Sequence, residues 1–139
     1  PIIINHLGGP LGVGPYTDRK KEVFQAWQNE MRRLAGLPNT SVKLGGFGLM
    51  VMGHQYHKLD TPPSSDLLAA EWRPYVETLI EMFGTKRCMY ESNFPVDKGM
   101  FSYHVLWNAF KKLSLACSQE EISDLFHETA RRTYDLDLS

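Results

Sequence analysis

Cysteine is scarce in this sequence, with two among 139 residues. Cys88 falls in an expected strand and Cys117 between two expected helices. No disulfide framework follows from them, and two thiols suit a reducing, cytoplasmic setting. Charge of one sign is scarce as well: 15 Lys and Arg stand against 16 Asp and Glu, a net charge of −1. Without a basic stripe, nucleic acid is not an expected partner. The longest charged run, Asp18 to Glu22, mixes both signs and reads as a solvated helix start. No apolar run approaches the roughly 18 residues of a membrane-spanning helix, and no signal peptide is recognisable, so no membrane partner is expected. The glycines between His6 and Tyr16 precede no Lys-Ser/Thr pair, which excludes a phosphate loop. An initiator Met is also missing. The chain opens on Pro1-Ile2-Ile3-Ile4-Asn5, as if inside a strand, whereas termini usually lie loose at the surface. A piece of a longer protein is therefore expected.

What is present has a clear rhythm. The composition, 42% hydrophobic and 22% charged, fits one globular domain with a core of its own. Residues 1–5 are a continuous apolar run, as for a strand buried on both faces. A Gly/Pro-rich loop follows, and then a helix from about Arg19 to Leu34. Val23, Phe24, Trp27, Met31 and Leu34 line its apolar face, and Gly36 and Pro38 stop it. Residues 41–46 form a second strand. A long loop runs from Phe47 to about Ser64, a length that in compact domains usually means function or disorder. Ser64, Ser65 and Asp66 offer caps for a short helix. Pro74 breaks it, and a second helix carries Tyr75 to Phe83. Residues 87–91 form the third strand. A helix follows, capped by Ser102 and running through Leu115. Ser118 and Glu121 then make a capping box for the last helix.

Strands alternating with helices imply a parallel sheet with right-handed crossovers. An open doubly wound sheet and part of a (β/α)8 barrel both fit. In either, chemistry gathers at the carboxyl ends of the strands. Three such ends carry polar groups: Asn5 and His6; Gly45, Gly46 and the long loop; Glu91, Ser92 and Asn93. His6 is the foremost candidate, since an imidazole there serves as metal ligand, acid, base or hydrogen-bond donor. The plainer alternative is a histidine satisfied by nearby backbone. Lys43 points into a barrel interior if Leu44 points outward, and a buried lysine requires a carboxylate or a substrate anion. Otherwise its head reaches solvent. His54 and His57 form a His-x-x-His pair that suits substrate contact from a loop over the barrel mouth. As metal ligands their spacing is weak, and surface histidines are the commoner outcome. His104 and His127 lie on helices.

The blocks Asn5-His6-Leu7-Gly8-Gly9-Pro10, Val42-Lys43-Leu44-Gly45-Gly46 and Cys88 to Gly99, followed by Ser102 to Leu113, resemble the amidohydrolase-related family of metal-dependent hydrolases. Within it they are similar to the branch of sugar lactonases and a pyrone-dicarboxylate lactonase. The likeness runs over nearly the whole chain. It implies that residues 1–139 are the C-terminal part of a single barrel domain. They would supply three βα units, strands six to eight of a (β/α)8 barrel. The family's first-strand His-x-His motif is absent here. The resemblance also implies that His6 is a metal ligand or a substrate-carbonyl contact. Asn93 occupies the strand-eight position at which the family usually has Asp, its general base or metal ligand. A neutral amide takes no proton from water. Asp97, ahead of Glu91, is the expected substitute base, with Asn93 a donor to substrate. Lys43, His54, His57 and Ser92 are the expected substrate-binding groups. One divalent metal, zinc or manganese, is expected, with a metal-independent mechanism as the alternative.

The implied function is hydrolysis of a lactone or cyclic ester of a sugar acid or an aromatic breakdown product. The alternatives are a non-oxidative decarboxylase of the same family and a binding protein that has lost its base. A small molecule is the expected substrate. An unpaired first-strand edge further predicts a homo-oligomer, or pairing with the rest of a barrel.

Overall fold

The computed structural model describes residues 1–137. Three parallel strands, β1 (Ile2–Ile4), β2 (Thr40–Leu44) and β3 (Cys88–Tyr90), lie side by side in the order β1-β2-β3. Ile3 faces Ser41, and Lys43 faces Met89. Helices α1 (Lys20–Ala35), α2 (Ser65–Phe83) and α3 (Tyr103–Leu113) follow the strands in turn. Then α4 (Gln119–Ser123), a π-helical turn (Asp124–Glu128) and α5 (Thr129–Thr133) run on without interruption. Among the described residues no helix is long and apolar enough to cross a membrane.

The helices cover one face of the sheet. Along β2, Thr40, Val42 and Leu44 are buried against them, while Ser41 and Lys43 on the opposite face are half-buried. That alternation is the period-2 signature of a strand with two unlike faces. The first strand is less enclosed than its sequence predicts. Ile2 is exposed and Ile3 and Ile4 are half-buried, whereas β3, the other edge strand, is buried at all three residues.

Caps fall where short polar side chains precede the helices. Ser64 Oγ accepts from Leu67 N, Ser102 Oγ accepts from Val105 N, and Ser118 and Glu121 close a capping box. The expected break at Pro74 does not occur, and α2 runs straight through it. Proline removes one intrahelical donor. However, Leu68 and Trp72 before it and Val76 and Leu79 after it are all fully buried in the same core. Continuous burial on both sides outweighs the lost bond.

Trp72 is the hub of that core. Its ring stacks on Phe47 at 4.3 Å and meets Phe101 edge-on at 5.2 Å. Its Nε1 donates to the Tyr56 hydroxyl at 3.1 Å. At the opposite, amino-terminal end of the strands, the Arg87 guanidinium donates to the carbonyls of Phe83, Leu37 and Ala35 at 3.0–3.1 Å. It thereby ties β3 to the ends of α1 and α2.

Candidate active site

The carboxyl ends of β1 and β3 converge on one carboxylate. After β1 the backbone enters the left-handed region for four residues running, His6, Leu7, Gly8 and Gly9. For His6 and Leu7 that conformation costs about 1–2 kcal/mol each. It is held because Leu7 is fully buried and its carbonyl accepts from Trp27 Nε1 at 2.6 Å. The reversal lays His6 over the end of the sheet. There the backbone N–H of His6 donates to Glu91 Oε1 at 3.3 Å, and Nδ1 meets the same oxygen at 2.5 Å. The other carboxylate oxygen, Oε2, is 3.6 Å from Lys43 Nζ. Burial works against the Lys43 ammonium, but Tyr134 and Glu91 outweigh it and hold the group above its ordinary pKa. The Tyr134 ring lies 5.7 Å from Nζ. Lys43 thus sits on the face opposite Leu44, with the carboxylate that such a lysine requires.

A second carboxylate stands behind the first. Asp97 is 1% exposed. Its Oδ2 accepts from Gly48 N at 3.0 Å and its Oδ1 from Asn93 Nδ2 at 2.8 Å. Burial pushes its pKa up, against the opposing pull of those two donors and of His6. Asn93 is itself left-handed, with φ 53°, a conformation that Asn tolerates better than most residues. Its side-chain N–H groups turn to Asp97, so the amide positions a carboxylate. Ser92 is engaged locally, its Oγ accepting from Phe94 N at 3.3 Å.

Three glycines of the segment after β2 bring these groups together. A Cβ at Gly45 would lie 2.1 Å from Glu91 Cγ, one at Gly46 2.7 Å from His6 Nδ1, and one at Gly48 2.6 Å from Asp97 Cγ. Each glycine is therefore the wall against which one site residue rests, the close approach that a missing side chain permits. Gly45 and Gly46 are legible in the sequence as a strand end, whereas Gly48 and Tyr134 are not legible there as neighbours of the site. A Gly-Gly-x-Gly run at the carboxyl end of a strand is the signal that would have found Gly48.

The histidines of the long loop lie elsewhere. His54 stacks on Tyr56 at 4.9 Å and approaches Glu71 at 3.5 Å. Burial lowers its pKa, with Lys20 adding to the effect and Glu71 opposing it. The Tyr56 hydroxyl donates to Glu71 as well. This network anchors the loop to α2. His57 instead contacts Met100, its Nδ1 3.3 Å from Sδ. The two histidines thus have different partners and do not form a pair.

Among the described residues no three His, Cys, Asp or Glu side chains are grouped to hold a metal ion. A catalytic zinc takes three protein ligands. His6 offers one, its Nε2, with Nδ1 braced by a carboxylate as metal-bound histidines commonly are. These residues alone therefore do not complete a metal site. What they do form is a histidine–carboxylate dyad with a cation beside it and a second, buried carboxylate close by. Such a set can accept, hold and return a proton.

The amidohydrolase family model matches residues 1–136, and the chain belongs to that family. It is 39% identical over 133 residues to the uncharacterized protein y4mH of Sinorhizobium fredii, covering 96% of this chain and 38% of that one. It is 31% identical over 111 residues to an L-fucono-1,5-lactonase of Burkholderia ambifaria, covering 78% of this chain and 32% of that one. A crystal structure of a Burkholderia multivorans amidohydrolase with bound HEPES superposes with a TM-score of 0.76 at 25% identity, over 97% of this chain and 44% of that one. A second crystal form of it, at 24% identity and the same TM-score and coverage, holds zinc. A putative 2-pyrone-4,6-dicarboxylic acid hydrolase of Pseudomonas putida superposes with a TM-score of 0.66 at 21% identity, over 99% of this chain and 44% of that one. The chain thus spans well under half the length of these relatives. Its three parallel βα units are an α/β fold that lies within barrel amidohydrolases.

Proposed function

We propose that the protein is a hydrolase of lactones or related cyclic esters, of a sugar acid or of an aromatic breakdown product. The observation that carries this reading is the His6–Glu91 dyad at the carboxyl end of the sheet, with Lys43 and Asp97 beside it. Likeness to a lactonase and to a pyrone-dicarboxylate hydrolase supports the substrate class. In the proposed mechanism Nε2 of His6 faces the reacting carbonyl and takes a proton from the attacking water. Glu91 holds the ring through Nδ1 and stabilises the imidazolium that forms, the role a carboxylate plays behind a catalytic histidine. Lys43 stands beside the second oxygen of that carboxylate, at 3.6 Å. Asp97, its pKa raised by burial, is the second proton acceptor, with Asn93 positioning it. Zinc or manganese, where bound, would polarise the carbonyl; His6 Nε2 would then be its ligand atom, and the proton of the attacking water would pass to Asp97 instead of to His6.

The test is turnover of a panel of sugar-acid and pyrone-type lactones, followed by acid release, with and without chelator. Hydrolysis of at least one class is expected, with a loss of about 10²–10⁴-fold in His6→Asn. Failure on every member would sink the reading. Asn93→Asp sets a carboxylate against Asp97 and is expected to lower activity. A gain of activity in that variant would instead favour a binding protein that has lost its base.

A further inference from the structure

The segment after Asn93 has a second neighbour. Residues 94–103 face residues 56–63 of the long loop across a cavity of about 650 Å³. That volume lies within the range of about 300–1,000 Å³ usual for small-molecule sites. None of His6, Lys43, Glu91, Asn93 or Asp97 lines it, so it is distinct from the dyad. Its wall begins at Phe94, the chain neighbour of Asn93.

The lining is largely ring and hydrocarbon: Phe94, Phe101, Tyr103, Tyr56, Pro62 and Met100. Phe94 meets Tyr103 edge to face at 5.2 Å and 81°. Rings so disposed offer faces and edges to a flat guest. Several of the polar groups nearby are already engaged. Ser102 Oγ accepts from Val105 N, the Tyr56 hydroxyl is shared between Glu71 and Trp72, and His57 Nδ1 contacts Met100 Sδ. A guest rich in hydroxyls would leave them without partners, which is costly once buried. Lys98 is the one lysine or arginine of the lining. Among the described residues it has no carboxylate within ion-pair distance.

We infer that this cavity is a binding site for a small carboxylate with a flat apolar ring system, its rings between Phe94, Tyr103 and the loop and its anion at Lys98. The site stands apart from the reaction proposed above, since binding is read without turnover.

Isothermal titration calorimetry of the protein with 2-naphthoate tests it, with neutral 2-naphthamide and acetate as controls. Saturable binding of 2-naphthoate is expected and none of acetate. Lys98→Gln is expected to weaken 2-naphthoate by up to about fivefold, the upper range of an exposed charge pair, and to leave 2-naphthamide unchanged. Gly99 lines the cavity, and a Cβ added there meets nothing within 4 Å. Gly99→Leu therefore fills space without strain and is expected to weaken both naphthyl probes at least tenfold. Tyr103→Ala removes an exposed wall and is expected to weaken both by about fivefold. It decides the matter if Gly99→Leu does not fold. Absence of saturable 2-naphthoate binding, equal binding of acetate, or wild-type affinity in the folded cavity variants would overturn the assignment.

Discussion

Gly46→Ala is the sharpest probe of how the site is held. Gly46 has φ +75°, so an L side chain there pays a backbone cost of about 1–2 kcal/mol. The added Cβ would also lie 2.7 Å from His6 Nδ1, about 0.7 Å inside the 3.4 Å at which ordinary contact begins. The imidazole or the segment after β2 must give way by that amount. A displacement of about 1 Å in a catalytic group can cost 10²-fold, so kcat/KM is expected to fall by about tenfold to a hundredfold. Gly9→Ala is the matched control. Gly9 is also left-handed, with φ +64°, but a Cβ there meets nothing within 4 Å. Both variants should lose about 1–2 kcal/mol of stability to the backbone, read by urea denaturation. Gly46→Ala alone should shift the His6 ring resonances and reduce turnover. A Gly46→Ala protein with wild-type His6 resonances, or one no less active than Gly9→Ala, would refute the claim that this glycine seats the histidine.

Three further outcomes follow from the contacts. Asp97 has a folded-state pKa above its ordinary 3.8, so the folded chain binds more protons than the unfolded one as pH rises from that value. Stability should decline through that window and stay lower above it. Asp97→Asn should abolish this slope in urea titrations at successive pH values while reducing turnover. Arg87→Ala, which removes the donors to four carbonyls at the foot of the sheet, should cost about 2–3 kcal/mol and leave KM unchanged. Arg87→Lys should recover little of this, because an ammonium cannot fork to four acceptors. Tyr56→Phe strands the buried Trp72 Nε1 and should cost about 1–3 kcal/mol, with faster proteolysis within residues 47–64.

Local chemistry was the legible part of this chain. Ser64, Ser102 and the Ser118–Glu121 box announce their helices because capping depends on neighbours three residues away. The β2 alternation assigns Lys43 a face, and the need for a carboxylate follows from burial cost alone. What escaped depends on distant partners. Continuity through Pro74 is decided by the core on both sides of it, and no window around residue 74 contains that information. Which carboxylate meets the imidazole is decided by the left-handed turns at His6 and Asn93. His and Asn adopt left-handed backbone more readily than most residues, but residue type alone does not say that the turn forms. The long loop is legible as functional or disordered, but its anchoring to α2 through His54 and Glu71 is not.

The indole of Trp72 has a consequence for motion. It touches Phe47 of the glycine segment, Tyr56 of the long loop and Phe101 of the turn after β3. Phe47 and Tyr56 hold the start and the middle of the loop after β2, and Phe101 belongs to the loop after β3. Loops usually open one at a time, each with its own local free energy. Here one side chain locks two of them together. Their amides should therefore exchange with solvent as a single unit, and a ligand that stills one loop should slow exchange in the other.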